Sequence, residues 1–222
     1  LHRLLDEAKG RGLESLLVST PDRETIQRAW NRGIGLSRGR YLTFLGVDET
    51  VRPDALGVLA DFLDDNPNID WAQGNVVVTE VNEQGSFVRD VMPYVRTFDM
   101  QEMHYLDSCY IGFVGAMYRR SVHERFGLYD DSFRGAGDTE FKNRVLPQIA
   151  VATIPEMLGT YLNYPTERTT ASPRVELEDI RAWYAFRAPA GVRYLLENRD
   201  AKDVARLLVH CLAYRKTYLD FT

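Results

Sequence analysis

The chain has 222 residues, 45% apolar and 27% charged, with a formal net charge of −5. That is globular composition at a length that buries a large core without a disulfide or structural metal. Acidic and basic residues are mixed throughout, which excludes the basic stripe that tracks a phosphate backbone, so nucleic acid is not an expected partner. Cys109 and Cys211 stand alone, without CxxC or finger spacing, and read as packed thiols or as a single bridge. No apolar run has membrane-spanning length. The start at Leu1 rather than methionine points to an excerpt of a longer chain.

Leu1 to Gly10 is expected to form an amphipathic helix ending at glycine, with Arg11-Gly12 as a turn. Leu13 to Ser19 has the length and apolarity of a strand, and Thr20-Pro21-Asp22 breaks it. Arg23 to Leu36 carries helical spacing through Ile26, Ala29, Trp30 and Ile34. Arg40 to Leu45 is a second expected strand, Arg52 to Asn66 a helix with Pro53 in its first turn, and Trp71 to Val81 a third strand. Beyond an irregular stretch from Gln84 to Ser108, Tyr110 to Tyr118 is strand-like and Ser121 to Phe126 a short helix. A glycine-bearing loop, Arg134 to Gly137, leads into a helix starting near Asp138, and Ala150 to Ile154 is a late strand. From Val175 onward the pattern is helical, broken at Pro189-Ala190-Gly191 and again at Asn198-Arg199-Asp200. Strands alternating with helices at this spacing predict an α/β fold with a mostly parallel sheet flanked by helices.

The chemically richest stretch is FLGVDETVRPDAL, Phe44 to Leu56, where an apolar strand runs straight into Asp48-Glu49. In open α/β sheets ligands gather at the carboxyl ends of strands, and two carboxylates there can hold a divalent cation against a diphosphate. Asp48 at this position serves equally well as a helix N-cap. The longer run AWNRGIGLSRGRYLTFLGVDETVRPDAL, Ala29 to Leu56, resembles the inverting family 2 glycosyltransferases of the GT-A fold. It shares their asparagine-bearing helix end, glycine-tyrosine entry to a hydrophobic strand, acidic turn and proline-started helix.

By that resemblance the turn is a DXD-type motif. Asp48 is then the contact to ribose or metal, Glu49 a metal ligand, and Asn31 and Arg38 further donor-side contacts. The implied cation is Mn2+ or Mg2+. Gly46 occupies the first acidic position of the usual turn, and Glu49 stands where aspartate is commoner. The late histidine that completes the metal site in many family members has Asn163 and Tyr164 in its matching stretch, Thr160 to Ser172. That stretch is either a lid over the donor or a surface loop.

A second segment, Gly112 to Arg144, resembles the acceptor half of the same family, with Gly137-Asp138 in place of its acidic dyad. Asp138 is then the general base that takes the acceptor's hydroxyl proton, a step that needs a positioned carboxylate because a hydroxyl is so weak an acid. Asp138 at a helix start is also a plain cap, with Glu140 and Arg144 forming an i,i+4 pair. Arg144 is a candidate for anchoring the base or touching acceptor or phosphate, and Gly115 and Gly112 for close approach to a sugar. The histidines, His2, His104, His123 and His210, are scattered without ligand spacing. Trp30, Trp71 and Trp183 are expected in the core, and one of Tyr105, Tyr110 and Tyr118 is a possible sugar platform.

The expected layout is a GT-A domain over residues 1–170 and a helical extension over 171–222. The first strand of the family, whose end contacts the base, is expected upstream of Leu1. The expected partners are a UDP- or GDP-type sugar donor, a glycan or lipid-linked acceptor and other modules of a longer chain. The expected location is cytoplasmic, peripheral at the inner face of a membrane. A domain of the same fold that binds nucleotide-sugar without catalysis, or scaffolds an assembly, is the competing reading. A nucleotidyltransferase shares the acidic turn but leaves Gly112 to Arg144 unexplained.

Overall fold

The computed structural model describes residues 2–91, 112–164 and 173–182. Helix α1 (His2–Gly10) ends in the Arg11-Gly12 turn, where Gly12 takes a positive φ of 75°. Helix α2 (Ile26–Leu36) starts at Thr25, whose side chain accepts the Arg28 N–H as an N-cap does. Its inner stripe is Gln27, Trp30, Asn31 and Ile34, so two of the four inward residues are polar and Ile26 is exposed. The strands that follow are β1 (Tyr41–Leu42), β2 (Glu49–Val51), β3 (Trp71–Val81), β4 (Phe87–Val91), β5 (Ala116–Arg119) and β6 (Val151–Asn163). Between them run α3 (Ala55–Asp65), α4 (Ser121–Phe126) and α5 (Gly137–Val145), and α6 (Pro173–Ala182) follows β6.

The strands form one sheet in the order β1-β5-β3-β6-β2, with β4 alongside β3. β3 is its axis. One edge of β3 is taken first by β5 at Trp71 to Gln73 and then by β4 at Val78 to Val81, while the other edge carries β6 along its length. The sheet is mixed, as a GT-A reading implies, but the expectation of mostly parallel pairing is corrected. Among the described residues β3–β6 is parallel and the other four pairings are antiparallel. The Asn82–Ser86 hairpin imposes that direction on β3–β4, because a parallel neighbour needs a long crossover, while the other three antiparallel pairs join strands distant in the chain.

Alternation along the strands assigns the layers. Trp71, Ala116 and Tyr118 face one core with Ile34, Phe141, Val145 and Leu146, while their chain neighbours Ala72 and Met117 face the other. That second core is closed by Ala55, Leu59 and Leu63, a single i,i+4,i+8 stripe of α3 with no exposed surface. Helices thus cover both faces. Trp71 and Trp30 lie in or against the first core as expected, and Trp183 lies outside the described residues.

Three local expectations change. Leu13 to Ser19 forms no strand: among the described residues no strand pairs with it, and Leu13, Leu16, Leu17 and Val18 are exposed. The second strand shrinks to Tyr41–Leu42, because beyond it the chain leaves the ladder and Thr43 bonds to the Ala116 carbonyl through its side chain. The acidic turn leads into β2 rather than directly into a helix, since Glu49 to Val51 are captured by Tyr161, Thr160 and Gly159 of β6. Helix α3 therefore starts at Ala55, with Pro53 in the turn before it and Asp54, not Asp48, at the N-cap position. The late strand runs on to Asn163. Among the described residues no helix is long and apolar enough to cross a membrane.

Candidate active site

After β1 the chain runs outward past the start of β5, held by Thr43 Oγ1 donating 2.8 Å to the Ala116 carbonyl. Phe44 anchors this run, its ring 4.5 Å from Trp30 and edge-on to Phe113 at 5.8 Å. Val47 is fully exposed, so the acidic turn stands at the surface, on a rigid aromatic base. The Gly46 N–H donates to Glu49 Oε2, and the Glu49 N–H returns 3.3 Å to the Gly46 carbonyl. A Cβ placed on Gly46 would lie 3.0 Å from Asp48 Oδ1 and 3.1 Å from Glu49 Oε2. Both carboxylates therefore converge on the one position in the turn that has no side chain. The Glu49 carboxyl is pushed above its usual range by burial, drawn partly back by the Gly46 N–H, and raised again by repulsion from Asp48.

A second wall is built from inside the sheet. Gln73 is buried in β3, accepts the Gly112 N–H at 3.1 Å and donates to Thr153 Oγ1 at 3.3 Å. The Gly74 N–H adds a bond of 2.8 Å to the Gly115 carbonyl. Gly115 has a φ of 62° and sits so close to β6 that a Cβ would meet the Gly159 nitrogen at 3.2 Å. A Cβ on Gly159 would in turn strike Val114 at 2.7 Å and lie 3.3 Å from the Thr50 carbonyl. The loop 112–115, β6 and β2 are thus in mutual contact, and the acidic turn and the acceptor-side segment share one end of the sheet.

Asp138 lies in the first turn of α5 with its side chain about one-third exposed. Its Oδ2 is 3.4 Å from Lys142 Nζ, and that ammonium stands 5.6 Å over the ring of Phe113. The same Phe113 ring meets Phe44, so an aromatic wall joins the helix of Asp138 to the strand end that carries Asp48. Behind it the Tyr129 hydroxyl is held far above its ordinary range, chiefly by burial and further by the nearby Tyr118 and Asp138. It hydrogen-bonds the Tyr118 hydroxyl, which meets His123 Nε2 at 2.8 Å.

The other candidates are placed differently. Asn31 uses its amide on the Tyr129 backbone, donating 2.9 Å to the carbonyl and accepting the N–H at 3.0 Å. That paired bond fixes α2 to the backbone at Tyr129. Arg144 forks onto Glu140 at 2.6 and 3.1 Å and donates to the Phe126 and Leu128 carbonyls. The i,i+4 pair expected as the alternative is the arrangement found. Gly115 serves close backbone packing. Arg38 is exposed and 3.8 Å from Glu14. Tyr118 is buried in the core, and Tyr105, Tyr110, His104, His210, Cys109, Cys211 and the end of the Thr160 to Ser172 stretch lie outside the described residues. Phe113, Lys142 and Gln73 were not singled out from sequence. The spacing of Asp138 and Lys142 was the one available signal, since it places both on one helix face.

A two-faced mixed sheet with an acidic turn at a strand end and a carboxylate on the following half's helix is the GT-A arrangement. S. aureus TarS residues 1–349, in a crystal structure with UDP-GlcNAc, shares this fold with a TM-score of 0.60 at 12% identity, covering 97% of this chain and 60% of that one. The same protein with UDP gives a TM-score of 0.53 at 10% identity, covering 92% of this chain and 64% of that one. The family model of glycosyl transferase family 2 matches residues 3–127, more than half of the chain, and the chain belongs to that family. A PGL/p-HBAD biosynthesis glycosyltransferase of Mycobacterium bovis (strain BCG / Pasteur 1173P2) is 26% identical over 143 residues, 63% of this chain and 51% of the relative. The chain spans about half the length of the curated relatives it matches.

Proposed function

We propose that this domain transfers a sugar from a nucleoside-diphosphate donor to a hydroxyl acceptor with inversion, Asp138 acting as the general base. The observation that supports it is the Phe44–Phe113 wall, which links the acidic turn after β1 to the helix that carries Asp138. Donor-side charge and acceptor-side base are thereby on rigid elements at one end of the sheet. The nucleotide partner is of UDP or GDP type. Support for UDP comes from the TarS complexes, whose ligands are UDP-GlcNAc and UDP.

Asp48 and Glu49 are the residues that would hold Mn2+ or Mg2+. They fit such an ion as a partial site: their carboxylates converge at Gly46, and the raised Glu49 carboxyl gains from a positive neighbour. A bound divalent cation supplies charge neutralisation for the leaving diphosphate. The chain's own work is proton removal. As the acceptor oxygen approaches the anomeric carbon, Asp138 Oδ takes its proton while the diphosphate departs from the opposite face. Lys142 fixes the rotamer of that carboxylate through its ion pair.

The test is turnover of UDP-glucose, UDP-N-acetylglucosamine and GDP-mannose, followed as nucleoside diphosphate release, with calorimetric titration of UDP and GDP in parallel. Asp138→Asn is expected to lose turnover and keep nucleotide affinity; wild-type turnover in that variant ends the assignment of the base. A second reading, a domain that binds nucleotide-sugar without turnover, is favoured by one observation. Among the described residues no third His, Cys, Asp or Glu gathers with Asp48 and Glu49. Binding with no turnover of any donor selects it. The acceptor is proposed to be a glycan or lipid-linked hydroxyl, and residues 171–222 an extension of the catalytic domain.

A further inference from the structure

The loop that delivers Asp138 to its place has an unusual anchor. Arg134, Gly135 and Ala136 present three consecutive backbone N–H groups just before α5, a run that no residue within the helix can satisfy. The N-cap position is Ala136, which has no side-chain acceptor. The donors are taken by one carboxylate from far along the chain, Glu178 on α6. Its Oε2 accepts from Arg134 at 3.0 Å, Gly135 at 3.0 Å and Ala136 at 3.2 Å, and its Oε1 lies 3.1 Å from the Arg134 nitrogen. Successive N–H groups converging on one anion form a nest, and the helix dipole adds to the attraction.

Packing makes the contact specific. A Cβ on Gly135 would lie 2.2 Å from Val175 Cγ2, so only glycine lets α6 approach the loop this closely. A Cβ on Gly137 would lie 2.3 Å from Gln27 Cγ, so the other side of the loop is pressed onto α2. Phe133, Ala136, Val175 and Ala182 make a small core of their own under the contact, and Arg181 caps the Phe133 ring at 4.8 Å. The loop is therefore clamped from both sides, two residues before Asp138.

We propose that Glu178 is a positioning residue for Asp138: its carboxylate holds the 134–136 backbone and thereby sets the start of α5 and the direction of the base. This rests on the reading of Asp138 as the general base. It assigns a catalytic purpose to α6, which lies beyond residues 3–127 matched by the family model.

The experiment compares Glu178→Ala and Glu178→Gln with wild type in the whole protein. It measures amide hydrogen exchange at 134–136, and kcat and KM for UDP-glucose, UDP-N-acetylglucosamine and GDP-mannose. Glu178→Ala should release the three amides to faster exchange and lower kcat by about 10- to 100-fold, with KM for the donor unchanged. Glu178→Gln keeps an acceptor oxygen without the charge and should fall between, which also covers the case in which the alanine variant does not fold. Unchanged exchange at the three amides overturns the proposal. Wild-type kcat in a variant whose amides have been released overturns it too. Wild-type turnover in Asp138→Asn instead removes the base, and leaves the exchange result on the loop standing.

Discussion

Lys142 stands 3.4 Å from Asp138 one helical turn away, with its ammonium 5.6 Å over the Phe113 ring. The lysine is buried, so the pair ties the base to the aromatic wall rather than to solvent. Asp138→Asn should lower turnover by about 10²- to 10⁴-fold, the range for losing a general base. Lys142→Met keeps the packing over Phe113 and the carboxylate itself, and should cost less, about tenfold, in kcat with UDP affinity unchanged. Nucleoside diphosphate release and UDP calorimetry on the two variants check the order; a lysine variant as impaired as the asparagine variant would reassign the essential group.

Glu49 gives a prediction with a sign. Its carboxyl is raised by burial, so the folded protein holds that proton to higher pH than the unfolded chain. Stability from this group is present at low pH and is lost as pH rises from the usual glutamate value to the raised one. Glu49→Gln should therefore raise Tm at neutral pH in the absence of divalent cation. If the turn binds Mn2+, the ion should raise the Tm of wild type and much less that of the variant. A variant whose Tm responds to Mn2+ like wild type places the ion elsewhere.

Arg144→Ala should unfold the domain more than it alters the site. Glu140 is almost wholly buried, with its side chain 4% exposed, and the guanidinium is its bidentate partner. Removing one member of such a pair strands the other charge, at a cost of about 3 kcal/mol. The Phe126 and Leu128 carbonyls lose their donor as well. Chemical denaturation should show the loss, while UDP affinity of the remaining folded protein stays at the wild-type value.

His123 is biased toward its neutral form by the same physics with the opposite sign. Burial lowers its pKa, the bond from Nδ1 to the Gly127 carbonyl draws it partly back, and nearby Arg144 and Arg120 oppose a further positive charge. A lowered histidine contributes stability that is present above its ordinary value, about 6.5, and is lost as pH falls through that value toward the depressed one. His123→Gln should be less stable at pH 7.5, and the gap from wild type should narrow as pH drops to 5. Thermal melts across that range decide it; parallel curves would mean His123 does not titrate in the window.

Elements whose stability is local were legible from the sequence. The helix within Arg52 to Asn66 and the strand Trp71 to Val81 follow from periodicity, although the buried stripe of that helix is Ala55, Leu59 and Leu63 and Leu56 is exposed. The acidic turn and Asp138 were legible as family-like segments at a strand end and a helix start. What the sequence hid depends on distant partners. Glu49 to Val51 become a strand only because β6 offers an edge, and Leu13 to Ser19 fail to become one because among the described residues nothing does. Asn31 and Arg144 have the residue types of ligand contacts, and their internal bonds to Tyr129 and Glu140 depend on partners that the local sequence does not show. Glu178 lies 40 residues beyond Asp138, on a helix whose pattern gives no hint of what it grips.

The parallel ladder between β3 and β6 has a consequence for synthesis. It pairs Trp71 with Val151 and Glu80 with Asn163, so the axis of the sheet lacks its longest neighbour until the chain has been made to the end of β6. A nascent chain emerging from the ribosome therefore carries β3 with one edge bare while some eighty further residues are added. Such an edge invites pairing with other chains, and closing so distant a contact is slow. The family-matched residues 3–127 lack β6 and α5, so expressed alone they should aggregate rather than fold.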